Sequence, residues 1–293
     1  IKDLERKPIN LNDTISKFTE LEFHAFVKQL QKENSIKNDP KPEINKKYTK
    51  IVDKKALDVL AKALSNSKQF SINLVTSELS PMVAQIIGIS LSIKVNESYY
   101  IPIQYKEKTK NNFGDNDLQY VLDRLSDILE NDSILKIGHN IKADLLILKK
   151  HKIKVNGISF DSMVAAHLIN PSARSNSLDT LSLEYLNYEM ISIEDLVGKS
   201  RNKIKINEVE LDNLLNYACE NADIILQLEK IIKKKLLESD LYDYYMKIEV
   251  PLINVLLNME YQGTYVNAKL LKSMSEKISL ILNDLREKIF EFS

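Results

Sequence analysis

Three neighbouring stretches constrain this chain most. Gln69 to Thr76 (QFSINLVT), Ala84 to Val95 (AQIIGISLSIKV) and Tyr99 to Ile103 (YYIPI) are β-branched or aromatic, with turn residues between them. They read as consecutive strands joined by tight connections. Ile134 to Ile137 reads as a short buried strand, and Ile141 to Lys150 as the helix behind it. Leu118 to Leu129 reads as a helix and the polar Tyr105 to Asn116 as a loop. Asp53 opens a helix with Ala56, Leu57, Leu60, Ala61 and Leu64 on one side, ending at Ser65-Asn66. From Ser162 onward nearly every periodic segment is helical. The best-marked helix opens at Asn207 with Glu210 as a capping-box partner, turns Leu214, Leu215, Ala218, Ala222 and Ile225 inward, and ends on Lys233 to Lys235. Ahead of all this, Thr19 to Gln31 suits an amphipathic helix, and Glu33 to Lys50, with two prolines and much Lys and Asn, a linker. Strands first, then strand–helix alternation, then helices, imply an α/β layer fold with a mixed sheet flanked by helices.

Composition excludes several functions. Acidic and basic residues balance at 41 each over 293 residues, so no net field draws in a polyanion. Any nucleic acid must be held by local patches, and weakly by this chain alone. The single Cys219 forms no internal disulfide, which fits the cytoplasm. No apolar run approaches a membrane span and no leader opens the chain, which begins at Ile1 and ends mid-pattern, as a piece of something longer would. With six glycines there is no phosphate-cradling loop, and neither a paired-Cys metal motif nor a helical His-Glu-x-x-His occurs. His24, His151 and His167 share no ligand spacing and read as packing or solvent-facing residues. His139 sits at a strand-to-helix turn, where it could touch a ligand or serve the turn itself. The runs Lys46-Lys47, Lys54-Lys55 and Lys233 to Lys235 read as solvated faces, and Tyr242, Tyr244 and Tyr245 as packing residues.

Three local patterns hold together as a set: Phe70 to Thr76 leading into Gly88-Ile89-Ser90-Leu91; Gly138-His139-Asn140-Ile141-Lys142-Ala143-Asp144; and Tyr217-Ala218-Cys219-Glu220-Asn221-Ala222-Asp223. In order and spacing they resemble the three motifs of the 3′→5′ exonuclease domain of family A DNA polymerases. Phe160-Asp161-Ser162, Ser177 to Leu181 and Glu194 to Lys199 resemble that family's intervening segments. Ile248 to Leu252 and Met259 to Asn267 resemble the entrance to its polymerase thumb. The resemblance implies a ribonuclease H-like fold. It also implies residues 1–50 as a connector following a 5′ nuclease domain, 51–240 as the exonuclease-like domain, and 241–293 as the first thumb helices of a DNA-directed DNA polymerase of replication and repair.

Such exonucleases hydrolyse a phosphodiester with two divalent metals, which want carboxylate oxygens at close geometry. The family sets an Asp and a Glu two apart on one strand, where period-two geometry turns both to one face. Here those positions align with Asn73 and Val75, and the third-motif Asp aligns with Asn221. Only Asp144 remains, with Tyr217, which in the family orients the attacking water. Losing one preorganised electrostatic group can cost about 10²–10³ in rate, so three together should leave activity near background. Glu78, Glu220 and Asp223 are expected to offer no substitute: Glu78 lies beyond the strand, Glu220 is solvated or paired, and Asp223 sits about 200° around the helix from Asn221. Asp144 and Tyr217 are thus read as vestigial catalytic residues. No metal or cofactor is expected for this chain, with Mg²⁺ left to the parent polymerase. DNA is the expected partner through that parent, with no membrane, and a monomer is expected. Two rivals are a live metal-dependent exonuclease on DNA and an exoribonuclease of the ribonuclease D type. The thumb-like Gly263 to Asn267 argues against the second.

Overall fold

A computed structural model describes residues 10–21, 23, 26, 30, 46–106, 112–113, 116–198 and 203–291. Helix α1 spans Leu11–Glu20 and so lies ahead of the expected Thr19 to Gln31 helix. Asn10 opens α1, with its Oδ1 3.5 Å from the Asp13 amide, and of the expected span the described residues 26 and 30 are helical. Of the later segment only residues 19–21, 23, 26 and 30 are described, and the rings of Phe18, Phe23 and Phe26 form a cluster there. Residues 33–45 of the expected linker lie outside the described residues, but its end is ordered differently: Lys47–Lys50 is strand β1. The amides of β4 needed a partner, and Tyr48 and Thr49 suit a pleated edge.

The sheet has six strands in the order β1-β4-β3-β2-β5-β6, where β2 is Gln69–Thr76, β3 Ile86–Lys94, β4 Glu97–Pro102, β5 Leu135–Gly138 and β6 Ile158–Asp161. β2, β3 and β4 are antiparallel neighbours, whereas β1 on β4, β5 on β2 and β6 on β5 are parallel. The three expected strands are all present within two residues at either end. On β2, β5 pairs with Gln69, Phe70 and Ser71 alone, so the second half of β2 projects past it.

Period-two alternation splits β2 cleanly. Phe70, Ile72 and Leu74 point to a core shared with helices α2 (Lys54–Ser65), α3 (Asp117–Glu130) and α4 (Ile141–Lys150). Burying each such side chain contributes about 1.5–3 kcal/mol. On the other face Val75, Ile87 and Tyr100 meet Leu214, Ala218 and Cys219 of the long helix α8 (Leu211–Glu238). Gly88 is required here, because a Cβ would run into the Tyr100 ring. A third cluster joins Ile137 and Phe160 to helices α5 (Ser162–Ile169) and α6 (Leu178–Leu186) and to the later turns of α8. A short helix, α7 (Ile193–Val197), precedes α8.

The start and end of α8 correct the sequence reading. Residues Ile206–Glu208 form a single 3₁₀ turn and Val209 is extended (φ −72°, ψ 142°), so the helix begins four residues after Asn207. Val209 is buried, and seating it breaks the run. The residue that reaches back is Glu208, which accepts from the Lys205 amide at 3.2 Å, not Glu210. The helix also continues past Lys235 to Glu238, where Lys234 pairs with Glu238. Further on, Tyr245–Glu249 is π-helical, immediately before Pro251 in helix α9 (Val250–Gln262). A proline removes one helical donor, and a π-turn absorbs the mismatch.

By contacts the chain divides into residues 1–257 and 258–293. The second unit contains the end of α9 and helix α10 (Ala268–Glu291), on which Leu270, Met274, Ile278, Ile281, Leu285 and Ile289 recur at helical spacing. Among the described residues no helix is long and apolar enough to cross a membrane.

Candidate functional site

Ser71, Asn73 and Val75 occupy the face of β2 that looks at α8. Ser71 Oγ donates to the Ala222 carbonyl at 2.6 Å, which fixes the register between strand and helix. Asn221 Nδ2 then lies 3.5 Å from Asn73 Oδ1, a long and weak contact. Tyr217, one turn earlier on α8, is hydrogen-bonded to Asn221, and burial pushes its phenol up. Val75 is 3% exposed in the apolar cluster with Val197, Leu214, Ala218 and Cys219.

Asp144 stands in the first turn of α4, buried. Because β5 stops short of Leu74, the Leu74 amide has no strand partner on that side, and Asp144 Oδ2 accepts from it at 3.2 Å. Burial pushes the Asp144 carboxyl up to about 8; the Leu74 amide opposes the shift and the Asp161 carboxylate adds to it. Asn73, Tyr217 and Asn221 are therefore brought together, and Asp144 reaches the backbone of the residue beside Asn73.

Two clefts meet at Asn73, Tyr217 and Asn221. One, of about 510 Å³, is also lined by His139, Asp179, Glu189, Met190, Ile193 and Asp195. The other, of about 480 Å³, is lined by Val75, Glu78, Val197, Lys203, Ile204 and Lys205. The fully exposed Leu79 lines both, whereas Asp144 lines neither.

His139 does both things left open from sequence: it lines the first cleft, and its Nδ1 lies 2.9 Å from Ser162 Oγ. Burial lowers its pKa, against the pull of Asp161 and Asp179. The turn it occupies is built on Asn140, whose φ of 49° suits Asn better than most residues. Asp161, passed over in sequence as part of an intervening segment, holds this corner. Its Oδ1 accepts from the amides of Asn140, Met163 and Val164, and its Oδ2 from that of Ile141 at 2.7 Å, so one carboxylate caps both α4 and α5. Tyr245 is fully buried, and its hydroxyl accepts from the Asp161 amide.

Glu220 is not solvated. It is 2% exposed and accepts from the Ile191 amide at 2.6 Å, from the Tyr188 hydroxyl and from Lys46 Nζ at 3.4 Å. Lys46 is thus no free surface lysine, as it also lies 4.5 Å from the Tyr188 ring centroid. Asp223 faces away from the clefts, accepting from Tyr48 Oη at 3.2 Å and the Asn96 amide at 2.8 Å. Glu78 is exposed in the loop after β2, on the rim of the second cleft. Sequence reasoning singled out neither Leu79 nor residues 189–192, and it named Asp179 only within the Ser177 to Leu181 segment; all of them line the clefts.

A family model described as 3′-5′ exonuclease matches residues 48–237. The chain belongs to the 3′-5′ exonuclease family of A-type DNA polymerases. A DNA polymerase I of Borreliella burgdorferi is 34% identical over 250 residues, 84% of this chain and 26% of that protein. The chain spans 26–31% of the length of two curated DNA polymerases I that it matches, which extend well beyond it. Among solved structures, the POL domain of Pol1 from M. smegmatis has a TM-score of 0.61 at 18% identity, over 80% of this chain and 36% of that one. Escherichia coli RNase D, an exoribonuclease, has 0.56 at 15%, over 74% and 51%. These likenesses establish the ribonuclease H-like fold.

Exonucleases of this family use divalent metals, and the donors here do not suit them. Asn73 and Asn221 offer neutral amide oxygens, Val75 offers none, and the Asp144 carboxylate is turned to a backbone amide. Among the described residues no three His, Cys, Asp or Glu side chains are grouped so as to hold a metal.

Proposed function

We propose that the chain is the proofreading-exonuclease module of a DNA-directed DNA polymerase of replication and repair, that it has lost hydrolytic activity, and that it serves the polymerase as a scaffold. In this reading residues 1–50 connect it to a 5′ nuclease domain and end in β1, residues 51–240 form the exonuclease-like domain, and residues 241–293 begin the polymerase thumb. The parent works as a monomer in the cytoplasm, engages DNA, and uses Mg²⁺ in its polymerase module.

One observation carries the loss of hydrolysis: where the family's strand and helix would present carboxylates to each other, two amides face one another at 3.5 Å. The buried Val75 beside them supports the same reading. One carboxylate cannot hold two hard cations, and amide oxygens bring no charge to offset that of the phosphate. Tyr217 and Asp144 are vestiges of the reaction, the first packed against Asn221 and the second tying down β2.

The test is a degradation assay on single-stranded DNA, with an RNA arm, under titration with Mg²⁺ and Mn²⁺, alongside primer extension. Neither shortening nor extension is expected. Processive 3′ shortening that Asp144→Ala abolishes would establish a live exonuclease instead, and extension of a primed template would overturn the domain assignment.

A further inference from the structure

We infer that the π-turn Tyr245–Glu249 is a register switch, which couples the setting of helix α9 to the corner that carries His139 and the start of α4. The coupling does not depend on whether the neighbouring site cuts DNA.

Two neighbours set the π spacing. The Val250 amide donates to the Tyr245 carbonyl, five residues back rather than four. In α spacing the ring of Pro251 would press on the Lys247 carbonyl, and the missing Pro251 N–H would leave that carbonyl without a donor. The extra residue of the π-turn avoids the clash. A helix that gives up that residue turns one flank against the other by about 100°. Two discrete registers are therefore open to this helix, and Pro251 holds the π one.

Tyr245 carries the register into the domain. It is fully buried, with its ring centroid 5.5 Å from that of Phe160. Its hydroxyl accepts from the Asp161 amide at 2.7 Å and lies 3.3 Å from the Asp161 carbonyl, to which it donates. A ring enclosed in this way cannot follow the helix through such a turn and keep both bonds.

Asp161 is the next link. Its carboxylate receives the Asn140 and Ile141 amides at the start of α4, and the adjacent Ser162 Oγ lies 2.9 Å from His139 Nδ1. Asp144, one turn into the same helix, accepts from the Leu74 amide of β2. A change of register at Tyr245 is thus passed by direct hydrogen bonds to the turn that holds His139, and through the first turn of α4 to β2.

The test uses the full chain, the NMR ring signals of its four histidines, and amide hydrogen exchange. Pro251→Ala removes the clash and restores a donor, so the helix can return to α spacing. Although Pro251 is exposed, this variant should move the His139 signal and raise exchange at residues 140–145 by at least about tenfold. His151, at the far end of α4, should keep its signal. Tyr245→Phe keeps the ring, removes the hydroxyl, and should move the His139 signal in the same direction. Combining the two substitutions should add little to either alone, because both act through one pair of bonds. If Tyr245→Phe fails to fold, Pro251→Ala decides alone. A His139 signal unmoved by Pro251→Ala overturns the inference, and so does an equal shift at His151, which would report general loosening. Shortening of single-stranded DNA by the unaltered chain would overturn the proposed loss of hydrolysis and leave the coupling standing.

Discussion

Asp144 shows how a single buried carboxyl can tie a helix to a strand. Its carboxyl satisfies the Leu74 amide that β5 fails to reach, and burial raises its pKa from 3.8 to about 8. A carboxyl whose folded pKa lies above its unfolded one stabilises the fold in its neutral form. That contribution is complete below about pH 4 and is lost as the pH rises through about 8. Asp144→Asn keeps the acceptor and removes the ionisation. In metal-free buffer the variant should melt at nearly the parent temperature at about pH 5 and above it at about pH 9. Parallel melting curves across that range would show that Asp144 stays ionised and is stabilised by something other than the Leu74 amide.

Among the elements, the corner where α4 and α5 begin depends most on one residue. The Asp161 carboxylate receives four amides from two helix N-termini, so removing it orphans donors in both. Losing a single cap costs about 0.5–2 kcal/mol, and here two are lost together in a buried place. Asp161→Ala should lower stability by about 2–4 kcal/mol in denaturant titration; a change under about 0.5 kcal/mol would mean that the helices are held by packing alone. This corner marks the limit of what sequence disclosed. Strands β2 to β5 and helix α4 were legible because period and turn residues agree locally. β1 was not, because four residues in a lysine-rich stretch carry no period and become a strand only by pairing with β4. The start of α8 was misplaced because Glu210 mimics a capping partner, while burial of Val209, a tertiary demand, sets the boundary. The motif residues Asn73, Asp144, Tyr217 and Asn221 were legible as a set. The roles of Asp161 and Glu220 were not, since each depends on partners far away in the chain.

At the scale of the molecule, β1 and Lys46 do more than extend a sheet edge. Lys46 and Tyr48 reach two buried acids of α8, Glu220 and Asp223, and Glu220 in turn holds Tyr188 and Ile191 on the way to the first cleft. A chain begun at residue 51 would leave both acids buried with part of their partners gone, and an uncompensated buried charge is strongly destabilising. Such a shortened chain should lack the cooperative thermal transition of the full chain when followed by circular dichroism. A transition within a few degrees of the full chain's would show that β1 is dispensable.

On the reading proposed above, Val75 gives the loss of a metal cage a direction in time. Its neighbours Val197, Leu214, Ala218 and Cys219 are all apolar, so its side chain is seated in hydrocarbon. A glutamate placed there alone would be pressed against that hydrocarbon without a paired cation, and burying an unpaired charge is costly. On that reading the substitution works as a ratchet, because every apolar neighbour packed around Val75 lengthens the route back to a charged strand face.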